Sequence, residues 1–540
     1  MFANLVYRRT SLVVTPSIRI RSYISITTET EFANRKARVQ ENHEFYYPLV
    51  NDLRYGNGVQ TLRIPEFRKK FEYYQFPNSS KKIDTLFSVC GKISSIRRAG
   101  KGMIFMDIIQ DFTKLQLVIH HKMLNLNKEE FSNIHSEFRI GDHVSVIGFP
   151  GKTDVGELSL KANQRVKLAA PALHPLPPKL TDTAKINSLR VVDYLVNRKS
   201  QEIILARSKI ISTIRKFLED RQFVEVSTPI IANSGTGANA TPFVTSSEHI
   251  KNDMLQPEPL QLRVAPELWL KKLIISGFDK VFEIGKVFRN EGIDSTHNPE
   301  FSTCEFYQTF TSLEELMNLT TDLFRSISTE LLNAESLKLT HIQAKALQHE
   351  EFETLEFIPA IEEATGKKLP ENLGVAELEN YFKSINLEFP KVKSPAQFLD
   401  TLSSEYLEPQ CAKPTFIYHQ PAILSPLAKS TSIKYGDRQY DISRRFELFI
   451  NGNEYVNAYE EENDPFSQNE KFKLQTRSKE KHQDEEALVP DYKYVTMMEW
   501  GMPPTGGWGI GIDRLTMLLT DSARVENVLT FGKLNDVLKH

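Results

Sequence analysis

Three groups of residues in the second half of the chain have the types and spacing that chemistry needs. Phe288-Arg289-Asn290-Glu291 ends the strand-like run VFEIGKV, and the loop GIDSTHNP leads into a second run carrying Glu300, Phe301, Glu305 and Tyr307. An arginine at the end of such a strand offers a planar fork that can hold a phosphate or carboxylate, with His297 as a second anion donor. Taken alone, an Arg followed closely by a Glu is more often a structural ion pair. The second group, Gly509-Ile510-Gly511-Ile512-Asp513-Arg514, opens a helical pattern after PPTGGWG. Its glycines permit close backbone approach to a ligand, and Arg514 in the first turn can reach phosphates or lie flat on a purine. No βαβ unit precedes it, so it is not a dinucleotide fingerprint.

The third group is acidic: Glu447, then Glu454 after the Asn451-Gly452 turn, then Asn457, Tyr459 and Glu461. At period 2 the last three share one strand face, and Glu447 with Glu454 across a hairpin could chelate a hard divalent cation. Glu454 and Asn457 fall on opposite faces unless a bulge intervenes. A solvated acidic hairpin is the alternative.

These groups need a scaffold. From Ser88 to about Ala170, five short β-type runs separated by Gly, Asp and Lys turns, with a helical interlude near 127–137, match an oligonucleotide-binding barrel. The later region alternates helices (201–220, 312–333) with strands next to hairpin signals, which predicts an α+β fold with an antiparallel sheet flanked by helices. Residues 340–404, rich in Glu and Leu, read as an inserted helical module. The expected organisation is a leader over 1–28, a helical extension over 29–80, the barrel over 81–175, a linker over 176–205 and a final domain over 206–540.

A length of 540 residues, 40% apolar and 25% charged, fits a folded multidomain chain and excludes disordered or collagen-like classes. No apolar run reaches the roughly 18 residues of a membrane span, so no membrane insertion is expected. Three scattered cysteines form neither a disulfide framework nor a zinc site. The first 175 residues hold 26 Lys and Arg against 16 Asp and Glu, so they carry +10 and leave −12 for the remainder of a chain whose net charge is −2. A basic first third points to a polyanion partner, or to no more than a solvated imbalance. Residues 1–28 contain four Arg, eight Ser or Thr and no acid, the composition of a mitochondrial transit peptide.

Taken together, the motifs resemble those of class II aminoacyl-tRNA synthetases, with RQFVEVSTPII as the first signature. RVAPELWLKKLIISGFDKVFEIGKVFRNEGIDSTHNPEFSTCEFYQTF, KPTFIYHQPAILSPLAKS, RFELFINGNEYVNAYEEENDP and GMPPTGGWGIGIDRLTMLLTDS resemble the lysine-specific branch, and the leader resembles its mitochondrial form. The resemblance implies ATP, lysine and tRNA(Lys) as substrates, Mg²⁺ as cofactor, a homodimer and the mitochondrial matrix. It implies that Arg289 holds the α-phosphate and the lysine carboxylate, Glu291 and Asn298 the adenosine end, Phe301 the adenine face and His297 the γ-phosphate. Arg514 would close over adenine and polyphosphate, and Glu447 and Glu454 would carry the metal. Gly237, Glu267 and Glu305 would line the backbone side of lysine, while Tyr307, Asn457, Tyr459 and Glu461 would form its side-chain pocket. In the barrel, Phe105 and Gln116 resemble anticodon readers, although Phe105 reads almost as well as barrel core. Thr241 stands where the family usually has a basic residue. An aspartate-specific relative would need a cation at Glu461, and a retired tRNA-binding paralogue would have lost Arg289, Arg514 or the metal acids.

Overall fold

The computed structural model describes residues 26–53, 59–77, 81–232, 237, 240–251, 256–334, 337, 342–482 and 490–538; side chains of 26–28, 342, 479 and 482 are outside it. Most of the expected leader therefore lies outside the described residues. The chain divides into two compact units, 1–182 with 191–197, and 183–190 with 198–540.

In the first unit, helix α1 (Ile26–Glu41) and helix α2 (Ile64–Phe71) precede strands β1 (Phe87–Ala99), β2 (Met103–Gln110), β3 (Thr113–His120), β4 (His143–Lys152), β5 (Leu158–Ala162) and β6 (Lys167–Ala170). The order β1-β2-β3-β5-β4-β6 is closed by a β1–β4 pairing, which makes the expected barrel, and the helical interlude is Lys128–His135. Alternation supplies its core, since Ile104, Met106 and Ile108 point inward with Leu115, Leu117 and Ile119. The region before the barrel, whose role the sequence leaves blank, completes that core. Ile64, Phe67 and Phe71 of α2 are buried in it, and α2 starts with Pro65 in its first turn and Glu66 capping the Arg63 N–H at 2.9 Å. Arg35 of α1 grips Asp142 bidentately at 2.9 and 2.8 Å, both residues buried.

The second unit is built on helix α3 (Arg198–Glu219), strand β7 (Val224–Glu225), helix α4 (Glu267–Ile275), strands β8 (Lys280–Phe288) and β9 (Glu300–Thr309) and helix α5 (Leu313–Leu332). Strands β10 (Glu353–Glu356), β11 (Thr415–Tyr418), β12 (Arg445–Ile450), β13 (Asn453–Glu460) and β14 (Thr505–Gly511) and helix α6 (Ile512–Leu519) follow. They form one sheet in the order β10-β11-β12-β13-β14-β9-β8-β7, antiparallel through its six central strands and parallel at both outer pairings. The region expected as a linker is helical over Thr183–Ser188 and again from Arg198. The inserted module contributes β10 to the sheet edge and packs Phe357, Leu378, Phe382 and Phe398 into one core with Ile417 of β11 and Phe449 of β12.

Period 2 divides the central strands into two faces. Phe446, Leu448, Val456, Ala458, Cys304, Phe306, Trp508 and Ile510 point to the helices, where Ile210, Ile214 and Leu218 of α3 and Leu316, Leu323 and Phe324 of α5 meet them. The apolar stripe of α3 thus packs within its own chain. The opposite face carries the chemistry.

Candidate functional site

Strand register writes the site directly. Glu447 of β12 is level with Asn457 of β13, which is level with Gly509 of β14 and then Glu305 of β9. In the next row Arg445, Tyr459, Gly507 and Tyr307 line up in the same way. Side chains from β12, β13 and β9 therefore surround a strip of bare glycine backbone. They line a cavity of about 500 Å³ that also takes in Gly237, Glu267, Arg289, Glu291, His297, Asn298, Phe301, Glu454, Glu461 and Arg514. All residues expected at the site outside the barrel are brought together here.

The bulge required for Glu454 is present. Leu448 pairs with Val456 but Phe449 pairs with Glu454, leaving Tyr455 as the extra residue and turning Glu454 onto the face of Glu447. Glu447 is not a solvated hairpin acid: burial and the neighbouring Glu454, Asp400 and Glu408 push its carboxyl up to about 7, against the pull of Arg445. Arg445, which the sequence reading passed over, contacts Glu447 and donates to Asn457 Oδ1 at 2.9 Å and Ser425 Oγ at 3.0 Å. Its place two residues before Glu447 puts it on the site face, a signal the strand period contained.

At the phosphate-type end, Arg289 makes no ion pair among the described residues, and its Nε is buried without a partner. The ion-pair reading with Glu291 does not hold. The guanidinium lies 5.2 Å from the Phe301 ring, and the Arg289 backbone N–H donates to the Pro299 carbonyl at 2.8 Å. Arg514 donates to the Glu454 carbonyl at 3.1 Å and to His297 Nε2 at 2.5 Å. The His297 ring proton therefore sits on Nδ1, 2.8 Å from Asp294 Oδ2, and hydrogen bonds from Thr296 and His297 hold Asp294 far below the usual carboxylate range. Asn298 spends its amide on Glu300 and Leu534, donating to the Glu300 carbonyl at 2.7 Å and accepting from the Leu534 N–H at 3.0 Å. Behind the strands, Asp513 accepts from the Ser302 N–H at 2.9 Å and pairs with Arg207 of α3.

The other end is a nest of buried acids. Tyr459 donates to Glu267 Oε1 at 2.6 Å and Tyr307 to Glu305 Oε2 at 3.3 Å. Burial and the adjacent Glu267 push Glu305 up to about 8, although Arg289 and the Tyr307 hydroxyl pull it down. Glu461 contacts Lys271, a second residue missed from sequence although it lies one helical turn from Glu267. Gly237 sits at φ +87, where a Cβ would come within 3.0 Å of Glu267 Cβ. The Thr241 carbonyl accepts from the Asn290 N–H at 2.8 Å, so this residue joins the loop through its backbone.

The barrel presents a second set. Phe105 is half-buried and points away from the core formed by Ile104 and Met106, so it is not barrel core. Gln116 lies on the same outer face, paired in register with Asp107, and its Oε1 accepts from Ser159 Oγ at 2.9 Å. Arg97 lies 5.8 Å from the Phe105 ring.

Comparison with known proteins gives a match in each of the two regions. Residues 183–535 match the model of class II tRNA synthetases (D, K and N), and residues 87–168 match the OB-fold nucleic acid binding domain. Over 99% of each chain the sequence is 37% identical to the mitochondrial lysine–tRNA ligase of Saccharomyces cerevisiae. It is 41% identical to that of Schizosaccharomyces pombe over 84% of each chain. The lysine–tRNA ligase of Streptococcus suis is 38% identical over 82% of this chain and 86% of its own. The chain belongs to the class II lysyl-tRNA synthetases.

Proposed function

We propose that the cavity forms lysyl-adenylate from lysine and ATP and passes the lysyl group to the terminal adenosine of tRNA(Lys) in the mitochondrial matrix. A lysine carboxylate oxygen attacks the α-phosphorus and the bond to pyrophosphate breaks; then a ribose hydroxyl of the tRNA attacks the lysyl carbonyl and AMP leaves. In-line displacement of this kind depends on positioning and charge neutralisation more than on acid–base groups. Arg289, with no carboxylate partner among the described residues, is suited to hold the α-phosphate and the lysine carboxylate together. Arg514, steadied by His297 and the Glu454 carbonyl, faces the polyphosphate. The acids at the other end select an amino acid with a cationic side chain, Glu461 meeting its ε-ammonium.

Among the described residues no group of three or more His, Cys, Asp or Glu side chains forms a metal cage. The pair Glu447 and Glu454 nevertheless fits Mg²⁺, which is usually held by one or two carboxylates plus substrate phosphates. The upward pressure on Glu447 is what a cation would relieve. When bound, the ion would neutralise phosphate charge.

The observation that carries this reading is Arg289, which has no ion-pair partner among the described residues and lines one cavity with the metal-type acids Glu447 and Glu454 and the lysine-type acids Glu267 and Glu461. Arg289→Lys keeps the charge but not the two-pronged fork. It should lose nearly all lysine-dependent pyrophosphate exchange, and near-normal exchange would overturn the assignment. Localisation rests on the acid-free leader and on the two yeast relatives named as mitochondrial. A homodimer is supported by exposed apolar residues Val224, Ile230, Ile231, Val244 and Ile250 around the first signature motif. Sedimentation at micromolar concentration tests it.

A further inference from the structure

Lys271 of α4 is fully buried, and its ammonium meets two carboxylates, Glu267 Oε1 at 2.6 Å and Glu461 Oε2. Apart from that ion contact, neither Glu461 oxygen has a hydrogen-bond partner among the described residues. The Tyr459 and Tyr307 rings lie 5.4 and 6.0 Å from the ammonium. Of the other groups that face it, Tyr459, Tyr307 and Tyr494 are kept neutral by burial, and Lys471 is balanced by Glu462 at 2.7 Å. Burial and Glu267 push Glu305 on β9 up to about 8, which favours its neutral form at pH 7. Burial presses the Glu461 carboxyl well above the usual carboxylate range, and the adjoining Lys271 ammonium is the main pull against it. With that pull holding both carboxylates ionised, two against one ammonium leave a surplus negative charge at the end of the pocket.

We propose that Lys271 is a positioning residue that sets the charge of the side-chain pocket: it keeps Glu267 and Glu461 ionised together and leaves one unbalanced negative charge, matched to a single substrate ammonium. This rests on the reading of Glu461 as the partner of the ε-ammonium. Without Lys271, two buried carboxylates converging on one point share a proton, and an incoming ammonium must displace it.

The test compares Lys271→Met and Lys271→Arg with wild type in lysine-dependent pyrophosphate exchange between pH 6.5 and 9. Lys271→Met should raise the lysine KM at least tenfold at pH 7 and leave the ATP KM within twofold. The ratio of its lysine KM to the wild-type value should fall as pH rises, whereas the ratio for Lys271→Arg should stay level. A level ratio in Lys271→Met, or an equal fall in Lys271→Arg, overturns the proposal. If Lys271→Met does not fold, calorimetry of lysine binding to Glu305→Gln at pH 7, in buffers of different ionisation enthalpy, decides with Lys271 in place. No proton release supports the proposal, and release of half a proton or more overturns it. An unchanged lysine KM in Glu461→Gln would also overturn it, but at the level of the pocket assignment.

Discussion

Glu454 stands on the same face of the sheet as Glu447 because Tyr455 is bulged out of the pairing between β12 and β13. Two buried-side carboxylates are thereby aimed at one volume, where they repel each other until a cation arrives. Replacing either by glutamine removes a charged ligand while keeping the shape. Glu447→Gln and Glu454→Gln should each shift the Mg²⁺ dependence of pyrophosphate exchange to concentrations at least tenfold higher, and a Mg²⁺ titration measures it. An unshifted midpoint would place the metal elsewhere.

Gly507 is fixed by what stands opposite. A methyl group there would overlap Glu461 Oε1 and come within 2.7 Å of Tyr307 Cε1. Gly511 is different, since its nearest neighbour for a Cβ is 4.0 Å away. Gly507→Ala should therefore raise the lysine KM at least tenfold with little change in the ATP KM, and Gly511→Ala should leave the lysine KM nearly unchanged. Equal effects would mean that the glycine strip serves the strand rather than the substrate.

Much of this site is legible in the sequence because a strand with one face on the core repeats every two residues. The spacing of Asn457, Tyr459 and Glu461 alone puts them together, and the barrel strands announce themselves in the same way. Which strands neighbour which is not local information: β14 lies between β13 and β9 although nearly two hundred residues separate it from β9. Lys271 was missed because a helical lysine in an apolar run reads as a solvated head on a buried stem, and its two carboxylate partners come from a helix and a distant strand end. The helical spacing of the apolar residues in α3 does not say which surface they meet; in the fold it is the sheet of the same chain.

Phe105 and Gln116 share the outer face of the barrel, in a unit separate from the cavity. A half-buried ring on such a face can stack a splayed base, worth about 1–3 kcal/mol per base. Phe105→Ala should therefore raise the tRNA KM roughly tenfold or more while leaving pyrophosphate exchange unchanged. Aminoacylation and exchange kinetics on the same preparation separate the two. A parallel loss of both would mean the substitution damages the barrel instead.

Glu305 supplies a pH dependence whose sign can be worked out. Its carboxyl is pushed from 4.5 up to about 8 by burial and Glu267, so the folded protein holds a proton that the unfolded chain has released by neutral pH. Its contribution to stability is complete below about pH 4.5 and is lost as pH rises through about 8. Glu305→Gln cannot ionise, so relative to wild type it should gain stability on going from pH 6 to 9, by on the order of a few kcal/mol. Thermal melts of the two proteins across that range measure the difference. Binding should show the same proton from the other side, because a substrate α-ammonium next to Glu305 favours the ionised form. Lysine binding to the wild-type enzyme at pH 7 should then release close to one proton, and Glu305→Gln should abolish the release. Wild-type binding without proton release would put the α-ammonium away from Glu305.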